Sequence, residues 1–374
     1  DAAPTEGKTP FAVHSELAPS PWKKGNVLLR VALKGQALAP EAMPPANLVF
    51  LIDISGSMSS DERLPLVKSS LKLLVDKLRP QDKVAIVTYA NGTRVALTPT
   101  SGSQKAEIKA VIDSLSASGG TYGAGGIQLA YAMAEQNLLP GGINRILLAT
   151  DGDFNVGITR FESLKDMVQA KRKTGVALTT LGFGVGNYNE HLIEQLADAG
   201  NGQYAYIDTL SEGQKVLSEE MTASLAVVAA DVKAQIEFNP AVIREYRQIG
   251  YENRALQRED FTNDKVDAGE MGYGHGVTML YELTPVSEKG LIEPLRYGKA
   301  EGKPESHAKA DNKANELGFL RLRYKKPGEE SSQEMSFPLA WPGKDKLAKQ
   351  AASDDFRFSA AVAAFGQWLR QSPY

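Results

Sequence analysis

From Leu48 to Ile207 the sequence alternates short apolar runs of strand length with longer segments whose apolar residues recur at helical spacing. Strands that alternate with helices build a mostly parallel sheet covered on both faces, so an α/β domain is expected here. The predicted strands are Leu48 to Asp53, Lys83 to Tyr89, Thr93 to Leu97, Arg145 to Thr150, Ala177 to Gly184 and Gln203 to Ile207. The spacing of Leu64, Val67, Leu71, Leu74, Val75 and Leu78 predicts a helix over Leu64 to Leu78. Similar patterns predict helices over Gln104 to Leu115, Gly123 to Gln136, Phe161 to Lys173 and Asn189 to Ala199. Ala90-Asn91-Gly92 is a turn, so the strands on either side of it form a hairpin and give the sheet one antiparallel edge.

The flanks lack this alternation. Asn26 to Lys34 precedes the α/β region, and Val227 to Phe238, Gly276 to Leu283, Leu317 to Tyr324 and Gln333 to Leu339 follow it, all strand-like with no helical pattern between them. A lone early strand needs partners, so it is expected to pair with the later ones in a β-sandwich-like domain, with the α/β domain inserted in it or followed by it. The expected division is an N-terminal segment over 1–44, the α/β domain over 45–223 and a β-rich domain over 224–374. Gly298 to Glu316 is charged and almost free of apolar residues and reads as a loop, while Phe356 to Leu369 reads as an alanine-rich amphipathic helix packed on the sandwich.

Composition narrows the function classes. The net charge of -3 offers no basic excess to neutralise a run of phosphates, so nucleic acid is not an expected partner. No apolar run approaches the roughly 20 residues that span a bilayer. Cysteine is absent and there are 4 histidines, which rules out a thiolate nucleophile or a cysteine-held zinc and leaves oxygen as the donor for any metal. The opening residues Asp1 to Pro10 read as a processed or trimmed start.

At the end of the first α/β strand stands Asp53-Ile54-Ser55-Gly56-Ser57-Met58. A carboxylate followed at steps of two by two hydroxyls, in a loop leaving a strand tip, directs oxygen donors to one side, and such a set suits a hard cation, Mg²⁺ in particular. Ser118-Gly119-Gly120-Thr121 before the helix at Gly123, and Asp151-Gly152 after the strand ending at Thr150, also fall at loop ends of the sheet. Ligands of open α/β sheets gather outside the carboxyl ends of the strands, so Asp53, Ser55, Ser57, Thr121 and Asp151 are expected to meet above one edge of the sheet.

These motifs resemble the von Willebrand factor type A domain and its metal-ion-dependent adhesion site, over about residues 45 to 223. The resemblance implies a Rossmann-like domain in which Ser55, Ser57 and Thr121 coordinate the cation and Asp53 and Asp151 act directly or through water. It further implies Mg²⁺, with Mn²⁺ or Ca²⁺ as alternatives, and an open position that takes an Asp or Glu of a protein partner. Two carboxylates only balance a divalent ion, which leaves it seeking another. Tyr122, Phe154, Asn155 and Tyr188 lie on loops near the rim and are candidates for partner contact. The segments Pro19 to Gly35, Leu48 to Met58, Thr150 to Gly157 and Phe358 to Arg370 are similar to the bacterial YfbK-like group. That similarity implies an exported protein in the periplasm or at the cell surface, in some members with a lipid anchor upstream.

Enzyme signatures are missing. There is no lysine-bearing phosphate loop at Gly119 to Gly123 and no nucleophile elbow around Ser55, and Gln195 stands where an inverted zinc-protease motif beginning at His191 would need histidine. The expectation is a metal-dependent binding module and not an enzyme. The alternatives are a scaffold or co-chaperone for a protein assembly and, further off, a Mg²⁺-dependent hydrolase.

Overall fold

A computed structural model describes residues 3–4, 9–39, 42–152, 161–184, 190–220, 226–251, 256–264, 266, 268–292, 315–329 and 331–373. The chain divides into two compact units, one formed by Leu38–Ala226 and the other by Asp1–Ala37 together with Val227–Tyr374.

The first unit is the expected α/β domain. Its strands are β3 (Ala46–Asp53), β4 (Lys83–Tyr89), β5 (Thr93–Ser101), β6 (Ile143–Thr150), β7 (Ala177–Phe183) and β8 (Tyr204–Ile207). They form one sheet in the order β5-β4-β3-β6-β7-β8, parallel except where β5 turns back on β4. Every residue of β3 and β6 is buried, as central strands covered on both faces require. The helices are α1 (Leu64–Lys77), α2 (Lys105–Ser114), α3 (Gly123–Gln136), α4 (Phe161–Arg172), α5 (Glu190–Ala199) and the short α6 (Leu210–Gln214), which runs into a wider π turn over Lys215–Glu220. Val49 and Leu51 of β3 share a core with Ile127 and Tyr131 of α3, Leu164 of α4 and Leu196 of α5. Periodicity located α1 to α5 to within a residue or two because each buries an apolar stripe.

The second unit contains two antiparallel sheets. One orders β1 (Phe11–Pro19), β2 (Val27–Gly35), β12 (Gly276–Pro285) and β10 (Ile243–Ile249); the other orders β11 (Gly269–Gly272), β9 (Val227–Phe238), β13 (Glu316–Lys325) and β14 (Ser332–Ala340). The early strand β2 pairs with β12, Val27 opposite Leu283. Alternate residues of both sheets, among them Leu29, Val31 and Leu33 on one side and Leu320, Leu322 and Tyr324 on the other, form one shared core, the signature of a sandwich.

The sequence reading missed β1, β10 and β11. The first two lie at sheet edges and carry charged residues such as Glu16, Arg244 and Arg247, and the third is short and half glycine, so none shows an apolar run. The long charged loop expected over 298–316 lies almost wholly outside the described residues. After a short helix α7 (Lys344–Leu347), helix α8 (Asp354–Leu369) packs Phe356 and Ala360 against Ala18 and Leu28, on the opposite side of the first sheet from the shared core.

Candidate functional site

The site begins at the tip of β3. Pairing with β4 on one side and β6 on the other fixes that strand, and it delivers Asp53, fully buried, to the carboxyl edge of the sheet. The loop that follows is held at both ends: Ile54 N donates to Tyr89 O (3.0 Å), and Gly56 N donates to Gly119 O (2.9 Å). Within it Ser55 N donates to Asp53 Oδ1 (2.9 Å), and the Ser55 and Ser57 hydroxyls lie 3.0 Å apart. Ser55 is buried and Ser57 exposed, so the pair runs from the interior to the surface.

The second loop is tied to the first. Ser118 N donates to Ile54 O (2.8 Å), Gly120 N to Asn91 Oδ1 (2.5 Å) and Tyr122 N to Ala90 O (2.7 Å). Gly119 turns with φ +81°, a conformation that suits glycine, and this lets the loop close over Gly56. Thr121 is carried on this anchored loop and is 6% exposed. The third loop leaves β6, where the Thr150 hydroxyl donates to Asp53 Oδ2 (3.1 Å) and accepts from Gly152 N (3.0 Å). Asp151, 7% exposed, follows directly and is coupled electrostatically to Asp53.

The electrostatics of Asp53 stand out. Burial pushes its carboxyl up from 3.8 to about 6, against the hydrogen bonds from Ser55, and the neighbouring Asp151 charge pushes in the same direction as burial. Among the described residues no lysine, arginine or histidine forms an ion pair with it. A buried carboxylate without a cation, beside a second carboxylate and three hydroxyl-bearing side chains, is a donor set suited to a hard divalent ion. Among the described residues no group of three or more His, Cys, Asp and Glu converges to hold a metal ion.

Two contributors escaped the sequence reading. Tyr89, at the end of β4, is fully buried, and its hydroxyl is raised well above its ordinary value by burial and then by the Asp53 charge. Arg63, just before α1, spans two loops: Nη1 donates to Ser57 O (2.5 Å) and pairs with Asp151 Oδ2 at 2.9 Å. Neither stands in a motif, and only the packing of neighbouring elements brings them to the site. Of the rim candidates, Tyr122 is 37% exposed at the start of α3, whereas Phe154, Asn155 and Tyr188 lie outside the described residues. His191 is exposed on α5 beside Gln195 and belongs to no metal cluster among the described residues.

The comparisons with known proteins bear on the fold. The von Willebrand factor type A domain family matches residues 47–220, and the family described as "Uncharacterized protein YfbK, C-terminal" matches 223–374. Residues 47–220 are a von Willebrand factor type A domain, a class of domain that generally mediates protein interactions. Its relatives include YfbK of Escherichia coli K12, 53% identical over 371 residues, a match that covers 99% of this chain and 63% of that protein. Inter-alpha-trypsin inhibitor heavy chain H2 of Sus scrofa is 27% identical over 229 residues, 58% of this chain and 24% of that one. The chain thus spans less than two thirds of the length of these relatives. Among solved structures, a von Willebrand factor type A protein from Catenulispora acidiphila superposes with a TM-score of 0.52 at 17% identity, covering 96% of this chain and 80% of that one, and shares the fold. Among the described residues no helix is long and apolar enough to cross a membrane.

Proposed function

We propose that the protein is a divalent-metal-dependent binding module that captures an Asp or Glu side chain of a protein partner at the carboxyl edge of the six-stranded sheet. The observation that carries this reading is Asp53, a fully buried carboxylate raised to about 6 and without a cationic partner among the described residues. Ser55, Ser57 and Thr121 would hold the ion together with Asp53 and Asp151, directly or through water. Mg²⁺ suits the set best, with Mn²⁺ and Ca²⁺ as substitutes. The ion supplies an electrophilic centre for one further carboxylate.

The chain's own residues do the rest. The backbone N–H of Ser55 and the hydroxyl of Thr150 orient Asp53. Arg63 holds Asp151 at the rim, and Tyr122 stands exposed where a partner would arrive. On this reading the site binds and does not catalyse. An exported location at the bacterial envelope, with any lipid anchor lying upstream, belongs to the same proposal.

The test uses Mn²⁺ as the probe, with water-proton relaxation as the readout. The expected result is one bound Mn²⁺ in the wild type, with relaxivity that falls as a glutamate-bearing peptide is added and replaces bound water. Asp53→Ala should lose the ion while keeping a wild-type circular dichroism spectrum. Relaxivity unmoved by the acidic peptide would leave a metal site but remove the carboxylate-capture reading.

A further inference from the structure

Helix α8 turns its more apolar side to water. Phe358 is 72% exposed, Val362 55%, Phe365 59%, Trp368 72% and Leu369 60%, although the helix is firmly seated on its other side. There Phe356 and Ala360 are buried, Arg30 Nε donates to the Ser359 hydroxyl (3.2 Å) and Arg247 Nη2 donates to Gln367 Oε1 (2.8 Å). Ser353 caps the N-terminus by accepting from Phe356 N (3.1 Å), while its own N–H donates to Glu16 Oε1 (2.8 Å). Rolling the apolar face inward would break all of these contacts, so the face is fixed pointing outward.

Its pattern specifies what covers it. Phe358, Val362, Phe365 and Leu369 follow one another at steps of 4, 3 and 4, the a/d seam along which one helix packs on another. The face contains no lysine, and the helix with its flank balances Asp354 and Asp355 against Arg357 and Arg370, so it lacks the basic border of a helix that lies on an anionic membrane. With side chains of this size, on the order of 600 Å² of apolar surface is left in water per copy, and two copies together would bury about 1,200 Å², the lower end of the range for specific interfaces.

We propose that this face is the contact between two copies of the chain, paired through antiparallel α8 helices. An antiparallel two-fold sets Phe358 against Leu369 and Val362 against Phe365 of the second copy, and brings Trp368 across the small Ala361. It also places the acidic start of each helix, Asp354 and Asp355, beside the Arg370 end of the other and opposes the helix dipoles. A parallel pair would instead bring the two acidic ends together.

Sedimentation equilibrium from about 1 to about 100 µM spans the range in which an interface of this size dissociates. The wild type should move from 40.4 kDa toward twice that mass. Val362→Glu and Phe365→Glu should remain at the single-chain mass with unchanged circular dichroism and unfolding midpoint, because both positions are exposed. The absence of cysteine allows a clean test of orientation: a mixture of Phe358→Cys and Leu369→Cys chains should form a disulfide-linked pair on oxidation, and neither variant alone should. A wild type at the single-chain mass throughout, or a dimer that survives both glutamate substitutions, would overturn the proposal. A single-chain mass combined with binding to phosphatidylglycerol vesicles would overturn it in favour of a membrane surface, and self-linking of each cysteine variant would overturn the antiparallel arrangement.

Discussion

Asp53 combines full burial with hydrogen-bond donors and no charge partner among the described residues, and its behaviour without metal follows from that combination. Its carboxyl is raised in the folded state, so its contribution to stability is complete below about 4, the unfolded value, and is lost as pH rises through about 6. At neutral pH the ionised group therefore destabilises the metal-free protein, by up to about 3 kcal/mol for a shift of this size. Asp53→Asn should raise the denaturation midpoint of chelator-treated protein at pH 7 and flatten its decline between pH 4 and 6, while abolishing any gain from Mg²⁺. A variant less stable than wild type at pH 7 without metal would contradict this. Arg63 acts in the opposite sense, since its guanidinium already neutralises Asp151 at 2.9 Å. Removing it as Arg63→Gln should tighten Mn²⁺ binding by about 1 kcal/mol, roughly fivefold, measured by titration calorimetry. As candidates, Asp53, Ser55, Ser57 and Asp151 were legible in the sequence because their chemistry and spacing are local to the ends of β3 and β6, and Thr121 because a glycine pair precedes it in the loop before α3. Arg63 and Tyr89 were not, because an arginine before a helix and a tyrosine ending a strand acquire their roles only from what folds beside them.

The site depends on how closely α3 approaches the sheet. Gly126 permits that approach: a Cβ there would lie 2.8 Å from the ring of Tyr89, whose hydroxyl is electrostatically coupled to Asp53. Gly126→Val should cost about 1–3 kcal/mol by overpacking and should also weaken Mn²⁺ binding, because the displaced tyrosine borders the carboxylate proposed to hold the metal. Equal loss of stability with unchanged affinity would show that Tyr89 is only a core residue. On the sandwich side, Phe356 is the buried anchor of α8, and Phe356→Ala should cost about 3 kcal/mol in chemical denaturation. The strands that sequence periodicity located are those with an apolar run, such as β3 and β6. Those it missed, β1 and β10, are edge strands whose outward residues are free to be polar, so alternation is blurred at the level of residue type even though the backbone pairs without interruption from Phe11 to Pro19.

Across the whole molecule, the proposed ligands and the bonds described above that hold them come from within Leu38–Ala226. That fragment should fold alone and bind Mn²⁺ with the affinity of the full chain, and a tenfold loss would show that the β-rich unit shapes the site. The early strand β2 depends instead on β12, about 250 residues later, so chains lacking residues 1–37 should lose the sandwich transition on heating. The sequence indicated that long-range pairing only by elimination, because a strand with no sheet of its own had to join the strands that follow. Thermal unfolding of chelator-stripped protein during titration with Mg²⁺ or Mn²⁺ probes the divalent cation proposed at the carboxyl edge of the six-stranded sheet. Stability should rise saturably, by about 2.7 kcal/mol at one hundred times the dissociation constant, and the rise should disappear in Asp151→Ala. A wild type unmoved by both ions, or a variant stabilised as much as the wild type, would contradict it.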